Sequence, residues 1–281
     1  MQIIQELTLL KKIIKDVKKD GLSIGFVPTM GFLHEGHLSL MRTAKAENDF
    51  MVMSIFVNPL QFGVGEDYED YPRDLERDEK LARSVGCDLI FLPSAKEMYP
   101  TGYATFVKVE QLTDRLCGAS RPGHFTGVTT VVAKLFNLVS PDRAYFGQKD
   151  AQQAFVLRKM VQDLNMDLNL IILPTKRESD GLAMSSRNKY LTPEQRKNSV
   201  VIIESLKMAE ELADQGVRNV EEIKKAIYEK VSNTKDAQID YIEIVDTEKL
   251  LPLAEIKGQC LIAAAVKFGK TRLIDNIILE V

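Results

Sequence analysis

The stretch that decides the fold is Ser23-Ile24-Gly25-Phe26-Val27-Pro28-Thr29-Met30-Gly31-Phe32-Leu33-His34-Glu35-Gly36-His37. It opens on an apolar run, 23–27, that suits a strand buried on both faces. It then turns through Pro28 to Gly31 and enters a segment whose apolar spacing predicts a helix over 35–47. A strand that passes through a tight turn into a helix aims unpaired backbone N–H groups and the positive end of the helix dipole at one point, which suits an anion such as a phosphate chain. His34 and His37 share one face of that helix, and Gly36 between them removes a side chain where a ligand could approach. The chain has only three histidines, and the third is His124.

Outward from this stretch the same texture repeats. Apolar runs at 51–57, 88–92, 143–146 and 168–173 predict further buried strands, and helical periods at 73–85, 127–139 and 151–164 separate them. An opening amphipathic helix, with apolar positions from Ile3 and Ile4 through Leu7, Leu10, Ile13 and Ile14 to Val17, precedes the first strand. The alternation predicts an α/β fold: a Rossmann-like parallel sheet with helices on both faces. Near residue 185 the texture changes. Thr192-Pro193-Glu194-Gln195 is a capping box with proline at the first helical position, predicting a helix that runs to about Gly216, and Asn219 to Glu222 repeats the capping logic. Strand patterns at 240–245, 260–267 and 272–279 have no long helix between them, which predicts a smaller C-terminal α+β domain with antiparallel pairing. Two domains are expected, 1–183 and 184–281.

Composition narrows the function. In 281 residues, 37 Lys and Arg stand against 40 Asp and Glu, a net charge of −3. No basic excess exists to collect a nucleic-acid backbone, so nucleic-acid binding is not expected. No apolar run approaches the roughly 20 residues that a bilayer requires, so no membrane partner is expected. The charged N-terminus (Glu6, Lys11, Lys12, Lys15, Asp16) does not read as a signal peptide. A cytoplasmic location follows as the expectation, with Cys87, Cys117 and Cys260 as reduced thiols. Phe268-Gly269-Lys270-Thr271 ends like a phosphate-binding P-loop but has Ala264 where that motif needs glycine, and Gly25 and Gly31 lack dinucleotide-fingerprint spacing.

In a parallel sheet, ligands bind outside the carboxyl ends of the strands, so the strings that follow the predicted strands carry the chemistry. Asn58 and Gln61, after the second, offer neutral amides that either bind a small hydroxylated acid or stabilise a turn. Lys149 and Asp150, after the fourth, suit phosphate oxygens and a ribose hydroxyl or magnesium-bound water, or form a surface ion pair. Ser185-Ser186-Arg187 joins two hydroxyl donors to a guanidinium fork, which suits phosphate. Arg121 lies in a loop with Pro122 and Gly123. The segment 66–79 holds eight acidic residues (66, 67, 69, 70, 74, 76, 78 and 79) against two arginines, and reads mostly as solvated surface.

His34-Glu35-Gly36-His37 resembles the His-x-Gly-His signature of the nucleotidyltransferase superfamily, and the longer Pro28-Thr29-Met30-Gly31 string resembles the pantoate–β-alanine ligase family within it. Four further strings resemble motifs of that family in the same order: Phe56 to Phe62, Arg121 to Val128, Gly147 to Gln153, and Asp180 to Asn188. The resemblance implies ATP-dependent joining of pantoate to β-alanine through a pantoyl adenylate, releasing AMP and pyrophosphate, with magnesium and in a homodimer. It implies His34, His37 and Lys149 as catalytic residues. For ATP it implies Met30, His34, His37, Gly147, Lys149, Asp150, Lys176, Met184, Ser185, Ser186 and Arg187. It implies Asn58, Gln61, Gln153 and Arg121 for pantoate, and selects Asp78 from the acidic segment as a metal ligand. The smaller domain is then expected to close as a lid. Two rivals share parts of the pattern: a transferase of nucleotidyl groups to phosphate acceptors, which should carry more Arg or Lys in place of the amides, and a non-catalytic nucleotide sensor.

Overall fold

The computed structural model describes residues 1–281. The elements run β1 Gln2–Ile4, α1 Leu7–Lys19, β2 Ile24–Thr29, α2 Glu35–Glu47, β3 Phe50–Ile55, α3 Leu75–Ser84 and β4 Leu89–Phe91. Two short helices, α4 Ala95–Met98 and α5 Cys117–Ser120, lead to α6 His124–Val139, β5 Arg143–Gly147, α7 Ala151–Asp163 and β6 Asn169–Leu173. The remainder is α8 Pro193–Asn198, α9 Val201–Asp214, α10 Val220–Ser232, β7 Ala237–Asp246, β8 Gln259–Phe268 and β9 Thr271–Glu280.

The first six strands form one parallel sheet in the order β1-β4-β3-β2-β5-β6. Alternate residues leave opposite faces of each strand, and both faces are covered. Ile24, Phe26 and Val52 enter one apolar cluster with α1, α6 and α7, while Val27, Met51 and Met53 enter another beneath α2 and α3. Burial on both sides explains why these strands read as unbroken apolar runs. The chain leaves β2 toward β3 on one side and later returns to place β5 on the other. The strand order therefore reverses between β2 and β5, and a crevice opens at their carboxyl ends, beside Thr29 and Gly147.

The last three strands form an antiparallel sheet, β7-β8-β9. Along β8, Cys260, Ile262, Ala264, Val266 and Phe268 pack with α9 and α10, whereas Leu261 and Ala263 join the core of the larger sheet. The small sheet is thus buried on both faces, one of them against the parallel-sheet unit.

Two expectations need correction. Ile3 and Ile4 belong to β1, which pairs with Leu89 to Phe91 of β4, and helix α1 starts only at Leu7. So short a strand is created by a partner far along the chain, not by its own period. The helix expected from Thr192 to Gly216 is two helices. The Thr192–Gln195 capping box forms, but the Ser199 hydroxyl donates to the Arg196 carbonyl at 2.8 Å, and Ile202 N donates to Ser199 O, an i→i+3 bond. The local tightening competes with α-helical pairing.

Candidate active site

A cleft of about 240 Å³ lies at the carboxyl ends of β2 and β5. Met30, His34, His37, Gln61, Arg121, Gly147, Lys149, Asp150, Gln153, Lys176, Met184, Ser185, Ser186 and Arg187 all line it. These residues come from five separate stretches, four following parallel strands, and the sheet brings them together as expected.

At its floor, helix α2 begins at Glu35. The His34 N–H donates to Nδ1 of His37 at 3.3 Å, which places the proton of a neutral His37 ring on Nε2. Burial, then the neighbouring His37 and Lys149, lower the His34 pKa to about 2, and burial with Lys149 lowers that of His37 to about 4. Both rings, 4.0 Å apart, are therefore neutral near pH 7, so His37 offers an Nε2–H donor without carrying a charge. A Cβ at Gly36 would stand 2.9 Å from Cε1 and Nδ1 of His34. The glycine makes room for the histidine ring, a more specific role than open approach for a ligand.

Two expected ligand residues do other work. Asp78 does not line the cleft. Its carboxylate is 1% exposed as a residue and accepts the N–H groups of Phe32 and Leu33, both at 2.7 Å. It tethers the turn that delivers His34, and the structure groups it with no set of metal-ligating side chains. Asn58 is likewise buried, with its amide spent inside the protein. Its Nδ2 donates to Gly127 O at 3.1 Å and Gln61 Oε1 at 3.2 Å, while its Oδ1 accepts from Tyr99 Oη at 2.8 Å and Leu60 N at 3.3 Å. Asn58 thus orients Gln61, which reaches the cleft with Nε2 against Met30 Sδ. This turn sits so close to α6 that a Cβ at Gly127 would lie 2.3 Å from Leu60 O.

On the side of the cleft that holds the cations, Lys149 Nζ is 3.7 Å from Asp150 Oδ1. The Asn276 amide donates to the carbonyls of Gln148 at 2.9 Å and Lys149 at 3.0 Å, so β9 holds the turn that carries Lys149. Arg177 forms a two-pronged pair with buried Asp275 beside it. Gln153 faces the cleft, whereas Gln152 bonds Cys117 N, Leu112 O and Arg115 O. His124 takes a supporting role. Its Nδ1 meets Gln61 O at 2.8 Å and its Nε2 meets Arg121 Nη1 at 3.0 Å, the arrangement of a neutral ring that donates to a carbonyl and accepts from a guanidinium. Burial first, then the charge of Arg121, lower its pKa to about 4.

The sequence reading missed Tyr99, Glu66, Asp67 and Asn276. The last was detectable, because Asp275-Asn276 interrupts an apolar strand pattern and a polar pair in such a place needs buried partners. Glu66 and Asp67 carried no signal that separated them from their acidic neighbours. Glu66 accepts from Arg121 Nε and Nη2, both at 2.6 Å, and Asp67 accepts from Arg187 Nε at 2.9 Å and Nη2 at 2.8 Å.

The chain is similar over its whole length to proteins of known function. Residues 2–278 match the model of the family described as pantoate-beta-alanine ligase. Pantothenate synthetase of Acetivibrio thermocellus is 58% identical over 281 residues, covering 100% of both chains, and that of Caldicellulosiruptor saccharolyticus is 54% identical over the same length. The crystal structure of pantothenate synthetase from Thermus thermophilus superposes with a TM-score of 0.93 at 49% identity, covering 99% of each chain. Pantoate-beta-alanine ligase from Francisella tularensis, solved with beta-gamma ATP and beta-alanine, has a TM-score of 0.82 at 35% identity, covering 99% of this chain and 97% of that one.

Proposed function

Because this chain belongs to the pantoate-beta-alanine ligase family, and so condenses pantoate with β-alanine at the expense of ATP, we propose the following division of labour among its residues. Gln61, Gln153 and Arg121 hold pantoate, with Asn58 and Tyr99 fixing Gln61 from behind. Met30, Gly147, Lys176 and Met184 border the nucleotide, and His34, His37, Lys149, Ser185, Ser186 and Arg187 face its phosphates. Asp150 takes a ribose hydroxyl or a metal-bound water.

In the first step an oxygen of the pantoate carboxylate attacks the α-phosphorus of ATP, and the bond to the bridging oxygen of pyrophosphate breaks. In the second, the amine of β-alanine attacks the acyl carbon and AMP departs with the electron pair of the acyl–oxygen bond. Neither step requires a protein nucleophile. Catalysis consists of positioning and of donors aimed where negative charge develops. A neutral imidazole suits this task, since its N–H donates to a phosphate oxygen without the cost of burying a second cation beside Lys149.

Magnesium fits as an ion carried by the substrate. It retains water and binds through one or two carboxylates plus phosphates, and Asp150, half-exposed at the cleft, is the carboxylate that would hold it. When bound it would neutralise phosphate charge. We further propose a cytoplasmic homodimer, a boundary between units near residue 183, and closure of residues 184–281 over the cleft to keep water from the acyl adenylate.

The observation that carries the residue assignment is the convergence of five sequence stretches on one cleft, with neutral amides for an acid and cations for phosphates. The test is pyrophosphate release from ATP with pantoate alone, followed by transfer of oxygen-18 from the pantoate carboxylate into AMP once β-alanine is added. Pyrophosphate release that requires β-alanine, or AMP without the label, would rule out the adenylate route.

A further inference from the structure

Both arginines assigned to substrate are already engaged by carboxylates, and the two carboxylates are consecutive. Arg121 presents Nε and Nη2 to Glu66, while Nη1 donates to His124 Nε2 and Nη2 also donates to Gln61 O at 3.3 Å. Arg187 presents Nε and Nη2 to Asp67. A guanidinium has two edges that can each grip an oxyanion through a pair of N–H groups: at Arg121 the second edge is spent on His124 and Gln61, and at Arg187 Asp67 holds the Nε edge and offsets the charge that the other edge would offer a phosphate. From these contacts we propose that Glu66 and Asp67 are internal competitors for the substrate's anionic groups: Glu66 for the pantoate carboxylate at Arg121, and Asp67 for the ATP phosphates at Arg187. The inference rests on the substrate roles of Arg121 and Arg187 given above.

The surroundings suit an exchange of partners. Gly63 and Gly65 precede the pair, and between them Val64 is fully exposed, so little apolar burial holds this end of the segment. The other end is fixed. Tyr71 Oη lies 3.4 Å from Ser186 Oγ, Tyr190 Oη donates to Asp70 O at 2.9 Å, and Arg73 bonds the carbonyls of Tyr68, Glu69 and Tyr71. A swing of residues 63–67 about this anchor would release both arginines together. It would also remove two negative charges from the wall that a triphosphate must approach. The pairs act as a population term: substrate binds only the fraction of molecules whose arginine is free, so apparent affinity is reduced by that fraction.

The test uses Glu66→Gln and Asp67→Asn in the full-length enzyme, with Arg121→Gln and Arg187→Gln as references. Dissociation constants for pantoate and for ATP are measured separately by calorimetry, and kcat alongside. Glu66→Gln should tighten pantoate about threefold to tenfold with little change for ATP, and Asp67→Asn should tighten ATP by a similar factor with little change for pantoate, since each carboxamide keeps the shape but gives up the charge and one of the two acceptor oxygens that hold its arginine. Unchanged or weaker binding in both carboxamide variants, while the arginine variants lose affinity, would overturn the competition and leave the substrate roles intact. Arginine variants that bind both substrates normally would instead remove those roles, and the inference with them. A purely structural contribution of the acidic pair would lower thermal stability without this crossed pattern of tightening, and that result also counts against the proposal.

Discussion

Replacing Asp78 by asparagine separates a tether from a metal ligand. The carboxylate accepts two backbone N–H groups at 2.7 Å, from Phe32 and Leu33, in a turn where Phe32 has a positive φ of 49°. Asparagine keeps one acceptor oxygen and sets an NH₂ group against the other N–H donor. One hydrogen bond to a charged group is lost, worth roughly 1.5–3 kcal/mol. Burial already pushes the Asp78 carboxyl above its ordinary value, only partly countered by these N–H donors, so removing the charge returns part of that loss. A net destabilisation of about 2 kcal/mol follows, equivalent to a fall in Tm of about 4–8 °C for a unit of this size. The assay is thermal unfolding by calorimetry, paired with the magnesium dependence of pyrophosphate release. The expected result is a lower Tm, a reduced kcat because His34 is less well held, and an unchanged half-saturating magnesium concentration. A normal Tm together with a large increase in the magnesium required would refute the tether and restore Asp78 as a metal ligand.

Other outcomes follow from the same contacts. His37→Ala should slow adenylate formation by at least about a hundredfold, as for loss of a transition-state donor, measured as pyrophosphate release with ATP and pantoate; a near-normal rate would remove His37 from the mechanism. Gly127→Ala drives a methyl group into Leu60 O, and overpacking of this kind costs about 1–3 kcal/mol; KM for pantoate should rise while ATP affinity is kept, and equal losses for both substrates would contradict the placement of Gln61. Burial, with the nearby charge of Lys149 for His37 and of Arg121 for His124, lowers both pKa values from the ordinary 6.5 to about 4 in the folded protein. Between those values the unfolded chain binds more protons, so stability should fall as pH drops from 6.5 toward 4; His124→Gln should flatten that slope in Tm measurements, and an unaltered slope would show that His124 does not contribute.

The alternation of strands and helices, the cap at Asn219, where Oδ1 accepts from Glu222 N, and the placement of the signature histidines at the start of α2 were all legible in the sequence, because they rest on local periods and local hydrogen bonds. So was the clustering of the functional strings, because a parallel sheet places every carboxyl edge on the same side. What the local pattern could not supply was the direction of individual side chains. Asn58 and Gln61 are chemically alike and lie in one turn, yet the packing of α6 against that turn points the first inward to Gly127 and Tyr99 and leaves the second at the cleft. Asp78 and its acidic neighbours read alike, yet only the fold of α3 against the Met30–Leu33 turn buries Asp78 under two N–H groups. Glu66 and Asp67 gain their role from arginines far along the chain. Sequence by itself determined the alternation of buried strands and helices from residue 23 onward and which strings lie beyond the strand ends, since propensity and periodicity act between near neighbours. Tertiary structure alone decided which polar side chain faces the cleft and which meets protein, because a buried donor or acceptor must find a partner, and those partners arrive from distant parts of the chain.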